Sequence, residues 1–399
     1  MYRRQLSLEL EKRIKEPRSF IQIVIGPRQT GKTTAVRQAV ENSGQPVHFA
    51  NADGPFVFSS EWLESEWEKG RFLAEEAKAQ DSEAGAILVI DEIQKIEQWS
   101  SVVKMLWDQD AWNKLNLKVI LTGSSSLLLR KGMAESLMGR FELLHCTHWC
   151  LDECKEAFGY KLEDFLYFGG YPGSAKFFEE PDRWFSYMRD SIVEPTVSQD
   201  ILQVELVKKP ALLRALFLMG ARYSGQELSL TKILGQLQES GSTVTLANYL
   251  QLLENAGMLS GLLKYSAEAV RMRKSSPRFM VFDTSLMTYA SNATPSQLEE
   301  DPEWKGHLVE SAVGAYLLSR SMSEGFSVNY WRDRDAEVDF VLTKGERVTA
   351  IEVKSGRAKG LNGYLEFKRR HPDSLTYAVG SSNMGLEDFL LGKFPLFKN

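Results

Sequence analysis

Apolar positions in the first half of the chain cluster in short, mostly apolar runs. Residues 20–25 (FIQIVI), 86–90 (AILVI) and 118–122 (KVILT) are such runs, and 47–51 (VHFAN) is a weaker one. Runs of this length predict strands buried on both faces of a parallel sheet. The intervening stretches mix polar and apolar positions and predict helices. An amphipathic helix is expected over 6–16, another beginning at 34–40, and a third over 59–80, rich in Glu, Lys, Trp and Ala. A polar helix over 131–138 is expected to end at Gly139-Arg140-Phe141. Strands alternating with helices predict an α/β fold with a parallel sheet.

The pattern changes after residue 150. Residues 151–200 read as mostly helical, broken by the loop Gly169-Gly170-Tyr171-Pro172-Gly173. Helices follow over 211–221, opened by Pro210, over 229–239, and over 246–255, capped by Thr245 and closed by Gly257. Residues 258–265 are expected to turn back as a hairpin. Three short helices and a hairpin make a winged helix-turn-helix, whose third helix enters a DNA major groove. That helix offers only Asn248, Tyr249 and Gln251 for base contacts, so a winged helix used for packing is an equal reading. A basic run follows: Lys264, Arg271, Arg273, Lys274 and Arg278, with Glu268 as the one acid among them. It would track phosphates or form a solvated face. The last quarter reads as a helix over 304–320 and strands over 328–331, 337–342 and 347–354, with a turn at 332–335. The expected domains are 1–150, a helical lid or linker over 151–205, a winged helix over 206–275, and an α/β domain over 276–399.

Composition narrows the class only a little. The 399 residues are 43% hydrophobic and 25% charged, ordinary for a globular chain of two to four domains. The net charge of −5 gives no overall basic excess for nucleic acid. No stretch approaches the ~20 apolar residues of a membrane span, and no apolar run follows the N-terminal basic residues as a secretory signal would require. A cytoplasmic location is expected. Cys146, Cys150 and Cys154 lie near His145 and His148, but their spacing matches no common zinc pattern. Buried thiols are the preferred reading.

Chemistry concentrates in three places. The first is Gly26-Pro27-Arg28-Gln29-Thr30-Gly31-Lys32-Thr33, followed by Thr34. A glycine, four free positions and Gly-Lys-Thr, set between a strand and a helix, make the P-loop pattern. Loop amides and the positive helix N-terminus face an anionic phosphate. Lys32 would reach the β- and γ-phosphates of ATP, and the Thr33 hydroxyl would ligate Mg²⁺. The second place is Asp91-Glu92 at the end of a buried strand. Asp91 would hold Mg²⁺ through water, and Glu92 would act as general base toward the attacking water. At the tip of the strand over 118–122, Thr122 and Ser124 are candidates to sense the γ-phosphate, with a helix N-cap as the equal alternative. Arg140 reads either as an arginine finger on a neighbouring subunit's nucleotide or as a helix C-terminal charge. The finger reading requires a homo-oligomer.

In this order, GPRQTGKTT, ILVIDEIQ, ILTGSSSLLL and LMGRF resemble the AAA-type ATPases of bacteria and archaea over the first ~150 residues. The whole chain is similar to a prokaryotic subgroup whose C-terminal half is a domain of unknown function with a restriction-endonuclease-like end. The resemblance implies Lys32 and Thr33 at the phosphates, Asp91 and Glu92 as the Walker B pair, a sensor at the 122–124 tip, and Arg140 as the finger.

The third place is in the last quarter. Glu310 shares a helix face with Gly306, Val313, Gly314 and Leu317, and an acid on a small apolar face needs a partner or a metal. Asp339 lies within one strand, and Glu352 and Lys354 are two apart on the next, hence on one face. An Asp followed by Glu-X-Lys resembles the PD-(D/E)XK nucleases over roughly residues 300 to 399. The resemblance implies Glu310, Asp339 and Glu352 as ligands of Mg²⁺ or Mn²⁺, with Lys354 steadying the attacking water. Val338 stands where many such nucleases have Pro. Two hypotheses follow. One is an ATP-dependent enzyme that holds DNA and cuts it with the last domain. The other is an ATP-driven switch or scaffold whose nuclease-like end only binds a partner or nucleic acid.

Overall fold

In the computed structural model, residues 2–54, 58–123, 136–204, 207–236, 241–266, 275–294, 297, 300–354 and 362–398 are described. The chain divides into two compact units, Met1–Thr147 and His148–Asn399.

The first unit is a parallel sheet covered on both faces. Its strands are β1 (Ile21–Ile25), β2 (Val47–Asn51), β3 (Ala86–Asp91), β4 (Leu117–Gly123) and β5 (Phe141–His145), in the order β2-β3-β4-β1-β5. All neighbouring pairs are parallel. Alternate residues of β1 serve opposite sides. Ile21, Ile23 and Ile25 join a core with Trp67 of α3 (Ser60–Gln80) and Val103 of α4 (Trp99–Trp112). Val24 joins a second core with Leu10 of α1 (Gln5–Lys15) and Val36 of α2 (Lys32–Glu41). Two-sided burial is why the central strands β1, β3 and β4 are mostly apolar, with Gln22 and Lys118 as the polar exceptions inside them. Trp67 is fully buried and donates its indole N–H to Asp110 at 2.8 Å, which also pairs with Arg71. The polar helix expected over 131–138 falls mostly outside the described residues, as does Ser124.

The second unit begins with α5 (Leu151–Phe158), α6 (Leu162–Phe168) and α7 (Pro181–Tyr187). Two π-helical segments, Met188–Val193 and Thr196–Asp200, lead into α8 (Ile201–Val204). Then come α9 (Pro210–Arg222), α10 (Leu230–Gln236) and α11 (Thr243–Asn255). The cap of α11 lies three residues earlier than Thr245: the Ser242 hydroxyl accepts from the Thr245 N–H at 3.1 Å. Gly257, at φ +69°, follows the helix end as expected.

No hairpin forms within 258–265. Instead β6 (Leu259–Leu262) pairs antiparallel with β7 (Arg278–Val281), so this ribbon runs across the boundary expected at 275–276. The reason lies in β7 itself, whose four residues are all buried and need a paired, covered place. After α12 (Thr284–Ser291) and α13 (Pro302–Glu324) comes a second sheet. Its strands β8 (Ser327–Asp333), β9 (Ala336–Lys344), β10 (Arg347–Val353) and β11 (Leu375–Val379) lie in the order β11-β10-β9-β8. The helices α14 (Asn362–Arg370) and α15 (Leu386–Leu390) complete the unit. Gly314 lets α13 approach β7 closely, since a Cβ there would stand 2.3 Å from the sulfur of Met280.

Candidate functional site

The loop from Gly26 to Gly31 joins the end of β1 to the start of α2. Gly31 takes φ +89°, and a Cβ on Gly26 would stand 2.0 Å from the carbonyl oxygen of Cys146, so both positions require glycine. Gln29 is also left-handed, at φ +60°. The Thr30 hydroxyl donates to the Pro27 carbonyl at 2.9 Å and braces the loop from inside. Pro27 is buried, and Thr34 is exposed in the first turn of α2. Gly31 stands at the cap of α2 and brings no side chain to its first amides, as an anion site requires.

Lys32 is buried, and its ammonium donates to the carbonyls of Gly26 at 2.9 Å and Pro27 at 2.6 Å. Burial lowers its pKa from the usual lysine range, while Cys146, Glu92 and Asp91 nearby work against that shift. Asp91, at the end of β3, joins two elements. Its Oδ2 accepts from the Thr33 hydroxyl at 2.9 Å, and its Oδ1 accepts from the Thr122 hydroxyl at the end of β4. Glu92 follows in a left-handed conformation at φ +56°, and its Oε2 accepts from the Gln94 amide at 2.5 Å. The structure thus gathers Lys32, Thr33, Asp91, Glu92 and Thr122 at the ends of neighbouring strands. The donor set fits a nucleotide with Mg²⁺: a buried ammonium on polar atoms of the loop, and a hydroxyl–carboxylate pair of hard oxygens.

Arg140 is held within its own unit. Its Nε and Nη2 form a fork on Asp108 of α4 at 2.7 and 3.0 Å, with the guanidinium about one-third exposed. Sequence reasoning missed Arg4. This buried guanidinium donates to the carbonyls of Thr30 at 3.0 Å and Thr147 at 3.1 Å, and to Cys146 Sγ at 3.2 Å. An arginine ahead of an amphipathic helix carries no sequence signal for that role.

A second cluster lies in the second unit. Glu310 of α13, Asp339 of β9, and Glu352 with Lys354 around the end of β10 come together in space. Lys354 Nζ donates to Glu352 Oε1 at 2.8 Å, and Asp339 Oδ2 accepts from the Val353 N–H at 2.7 Å. The unexpected member is Arg278. Its Nη1 lies 2.9 Å from Glu310 Oε1 and 3.5 Å from Asp339 Oδ1, and its Nη2 pairs with Glu337. Burial, then the charge of Asp339, raises both Glu310 and Glu352, and the Arg278 guanidinium works against the rise at each. Glu352 Oε2 is buried and has no hydrogen-bond partner among the described residues. Even so, no group of three or more His, Cys, Asp or Glu side chains among the described residues is arranged to hold a metal. The donors fit Mg²⁺ or Mn²⁺ poorly here, because an arginine nitrogen stands between two of the three carboxylates.

Arg278 therefore leaves the basic run expected to track phosphates: it is 3% exposed. Arg271, Arg273, Lys274 and Glu268 lie outside the described residues, and Lys264 is half-buried. On α11, Asn248 and Gln251 are exposed, but Tyr249 is buried and its hydroxyl accepts from the Lys209 N–H at 3.1 Å. Packing claims one of the three candidate base contacts. Cys146 and Cys154 are buried thiols, and Cys150 is half-buried.

A buried parallel sheet, a glycine loop running into a helix, and a strand-end Asp bonded to the loop threonine define the P-loop class. Residues 18–155 match the family model described as "AAA domain", and the first unit is an AAA-type P-loop domain. Residues 159–297 and 305–390 match two further models, each described as a domain of unknown function (DUF8612 and DUF4143). An uncharacterized protein of Haemophilus influenzae is 24% identical over 354 residues, spanning 84% of this chain and 82% of that protein. An uncharacterized protein of Methanocaldococcus jannaschii is 23% identical over 286 residues, 67% of this chain and 60% of its own length. A solved RuvB structure from Thermotoga maritima aligns with 64% of this chain and 87% of its own, at 16% identity and a TM-score of 0.34, which does not establish a shared arrangement. No helix among the described residues is long and apolar enough to cross a membrane.

Proposed function

We propose that the chain binds ATP with Mg²⁺ in its first unit, hydrolyses it, and uses the cycle as a conformational switch on its second unit. The observation that carries this reading is the bonded set Lys32, Thr33, Asp91 and Thr122 beside Glu92. Lys32 exchanges the carbonyls of Gly26 and Pro27 for phosphate oxygens and balances their charge. Thr33 and Asp91 are the residues that would hold Mg²⁺, which when bound neutralises charge on the β- and γ-oxygens. Glu92 takes the proton of the attacking water on its carboxylate, and the Gln94 amide orients that carboxylate.

Phosphate release from Mg²⁺ATP tests the reading. Lys32→Ala should lose nucleotide binding. Glu92→Gln should bind ATP and turn over little, because an amide takes no proton. Turnover at the wild-type rate in Glu92→Gln would remove Glu92 from the reaction.

The convergence of Glu310, Asp339, Glu352 and Lys354 favours a second reading, a metal-dependent nuclease acting on DNA. Arg278 among those carboxylates weighs for the switch instead. Linear, nicked and single-stranded DNA, incubated with Mg²⁺ or Mn²⁺ with and without ATP, separates the two. The switch reading expects no cleavage in any of these conditions. We place the protein in the cytoplasm, with nucleic acid or a protein as partner of the second unit.

A further inference from the structure

The carboxylates of the second unit already share a cation. We infer that the Arg278 guanidinium is the resident counter-ion of Glu310, Asp339 and Glu337, standing where a divalent metal would stand, so that metal binds this cluster only when Arg278 is removed.

The geometry carries the inference in three steps. First, one nitrogen, Nη1, lies within 3.5 Å of oxygens on both Glu310 and Asp339, and Nη2 turns to Glu337. A planar fork with several fixed donors joins three carboxylates that come from a helix and a strand. Mg²⁺ or Mn²⁺ drawing on Glu310 and Asp339 would compete with Nη1 for the same oxygens.

Second, Arg278 has little freedom to leave. It opens β7, where it pairs with Leu262 on one side and bridges to Glu227 on the other. Its neighbours are fixed as well: the Gly225 N–H donates to the Phe279 carbonyl at 2.8 Å, and the Phe279 N–H to the Gln226 carbonyl at 3.0 Å. The guanidinium carbon lies 5.1 Å from the centre of the Tyr330 ring, and the Tyr330 hydroxyl is tied to the Ser276 carbonyl at 2.7 Å. A side chain 3% exposed, on a strand paired at both edges, belongs to the packed core.

Third, two of the remaining oxygens are already engaged, while Glu352 Oε2 has no hydrogen-bond partner among the described residues. Asp339 Oδ2 accepts from the Val353 amide, and Glu352 Oε1 is paired with Lys354. The cluster keeps the carboxylates and lysine of a metal nuclease and adds an internal cation. Its work is to tie the β6–β7 ribbon to α13 and β9.

The test is Mn²⁺ binding to the full chain without nucleotide, by calorimetry and electron paramagnetic resonance, with thermal unfolding in Mn²⁺ against chelator. Asp339→Asn, alone and combined, assigns any ion to this cluster and separates it from the first unit. Wild type and Asp339→Asn should bind Mn²⁺ identically. Arg278→Met, similar in volume and uncharged, should gain one Mn²⁺, lost again in Arg278→Met/Asp339→Asn. Saturating Mn²⁺ should raise its melting temperature by ~5–10 °C through linkage. Should Arg278→Met fail to fold in chelator, recovery in Mn²⁺ supports the inference and failure to recover overturns it. Arg278→Lys, which keeps a cation, should gain no ion. An ion on the wild type that Asp339→Asn abolishes overturns the inference, as does an Arg278→Met protein that folds and binds none.

Discussion

Thr122→Val isolates the hydrogen bond that joins β4 to the carboxylate of Asp91. Valine matches threonine in shape, so the change removes the hydroxyl and leaves the packing. Thr122 is fully buried and Asp91 is 2% exposed, so water cannot readily replace the lost donor. A hydrogen bond to a charged group contributes about 1.5–3 kcal/mol, and stranding one buried carboxylate oxygen costs a similar amount. Thr33 still holds the other oxygen, which keeps the loss within that range. For a unit of this size, the loss corresponds to a melting-temperature decrease of roughly 5–10 °C. The assay is thermal unfolding of the full chain by circular dichroism, reading the transition that shifts with ATP. Thr122→Ser is the control. It keeps the hydroxyl and gives up one buried methyl, at about 0.5–1.5 kcal/mol. Serine should be the milder change in stability and should keep hydrolysis, and valine should lower kcat more than ATP affinity. A valine protein as stable and active as the serine protein would reduce Thr122 to a packing residue.

Arg140→Ala should spare ATP binding, cost little stability because its pairing with Asp108 is partly exposed, and slow hydrolysis by about 10³-fold at protein concentrations where copies meet. Full specific activity in a strictly monomeric protein would remove the finger role. Asp283 is buried and accepts from the Gly170 and Ser285 amides at 2.7 and 3.0 Å, and burial pushes its pKa up to about 6 from the ordinary 3.8. The folded state thus holds the proton more tightly than the unfolded chain. That stabilisation is complete below pH ~4 and is lost as pH rises through 6, by about 3 kcal/mol for a gap of about two pH units. Urea unfolding from pH 4 to 7 should show wild type losing more stability than Asp283→Asn, and parallel profiles would exclude Asp283 as the titrating group.

The central strands β1, β3 and β4 were legible because burial on both faces of a parallel sheet selects mostly apolar runs, whereas β5, with Glu142 inside it and only one buried residue, offered no such run. The P-loop was legible for a related reason: its glycines, lysine and threonine are each fixed by a separate demand. Pairing was harder to read. β6 and β7 lie too far apart in sequence for turn chemistry to announce them, and Ser242 took the cap because its hydroxyl reaches the Thr245 amide. Glu310, Asp339, Glu352 and Lys354 could be grouped through the resemblance to PD-(D/E)XK nucleases. Arg278 could not, since in sequence it closes a basic run and only folding shows it surrounded by acids. Arg4 left no trace either, because its partners are backbone carbonyls that any residue supplies.

That N-terminal arginine has a mechanical consequence. One guanidinium grips the carbonyl of Thr30 inside the phosphate-binding loop and the carbonyl of Thr147, the last residue of the first unit. The side chain is buried, so neither grip can be exchanged freely for water. A displacement of Thr30 by an incoming phosphate would act on the same rigid plane that anchors Thr147. Arg4 thus ties the position of the phosphate-binding loop to the residue with which the first unit ends.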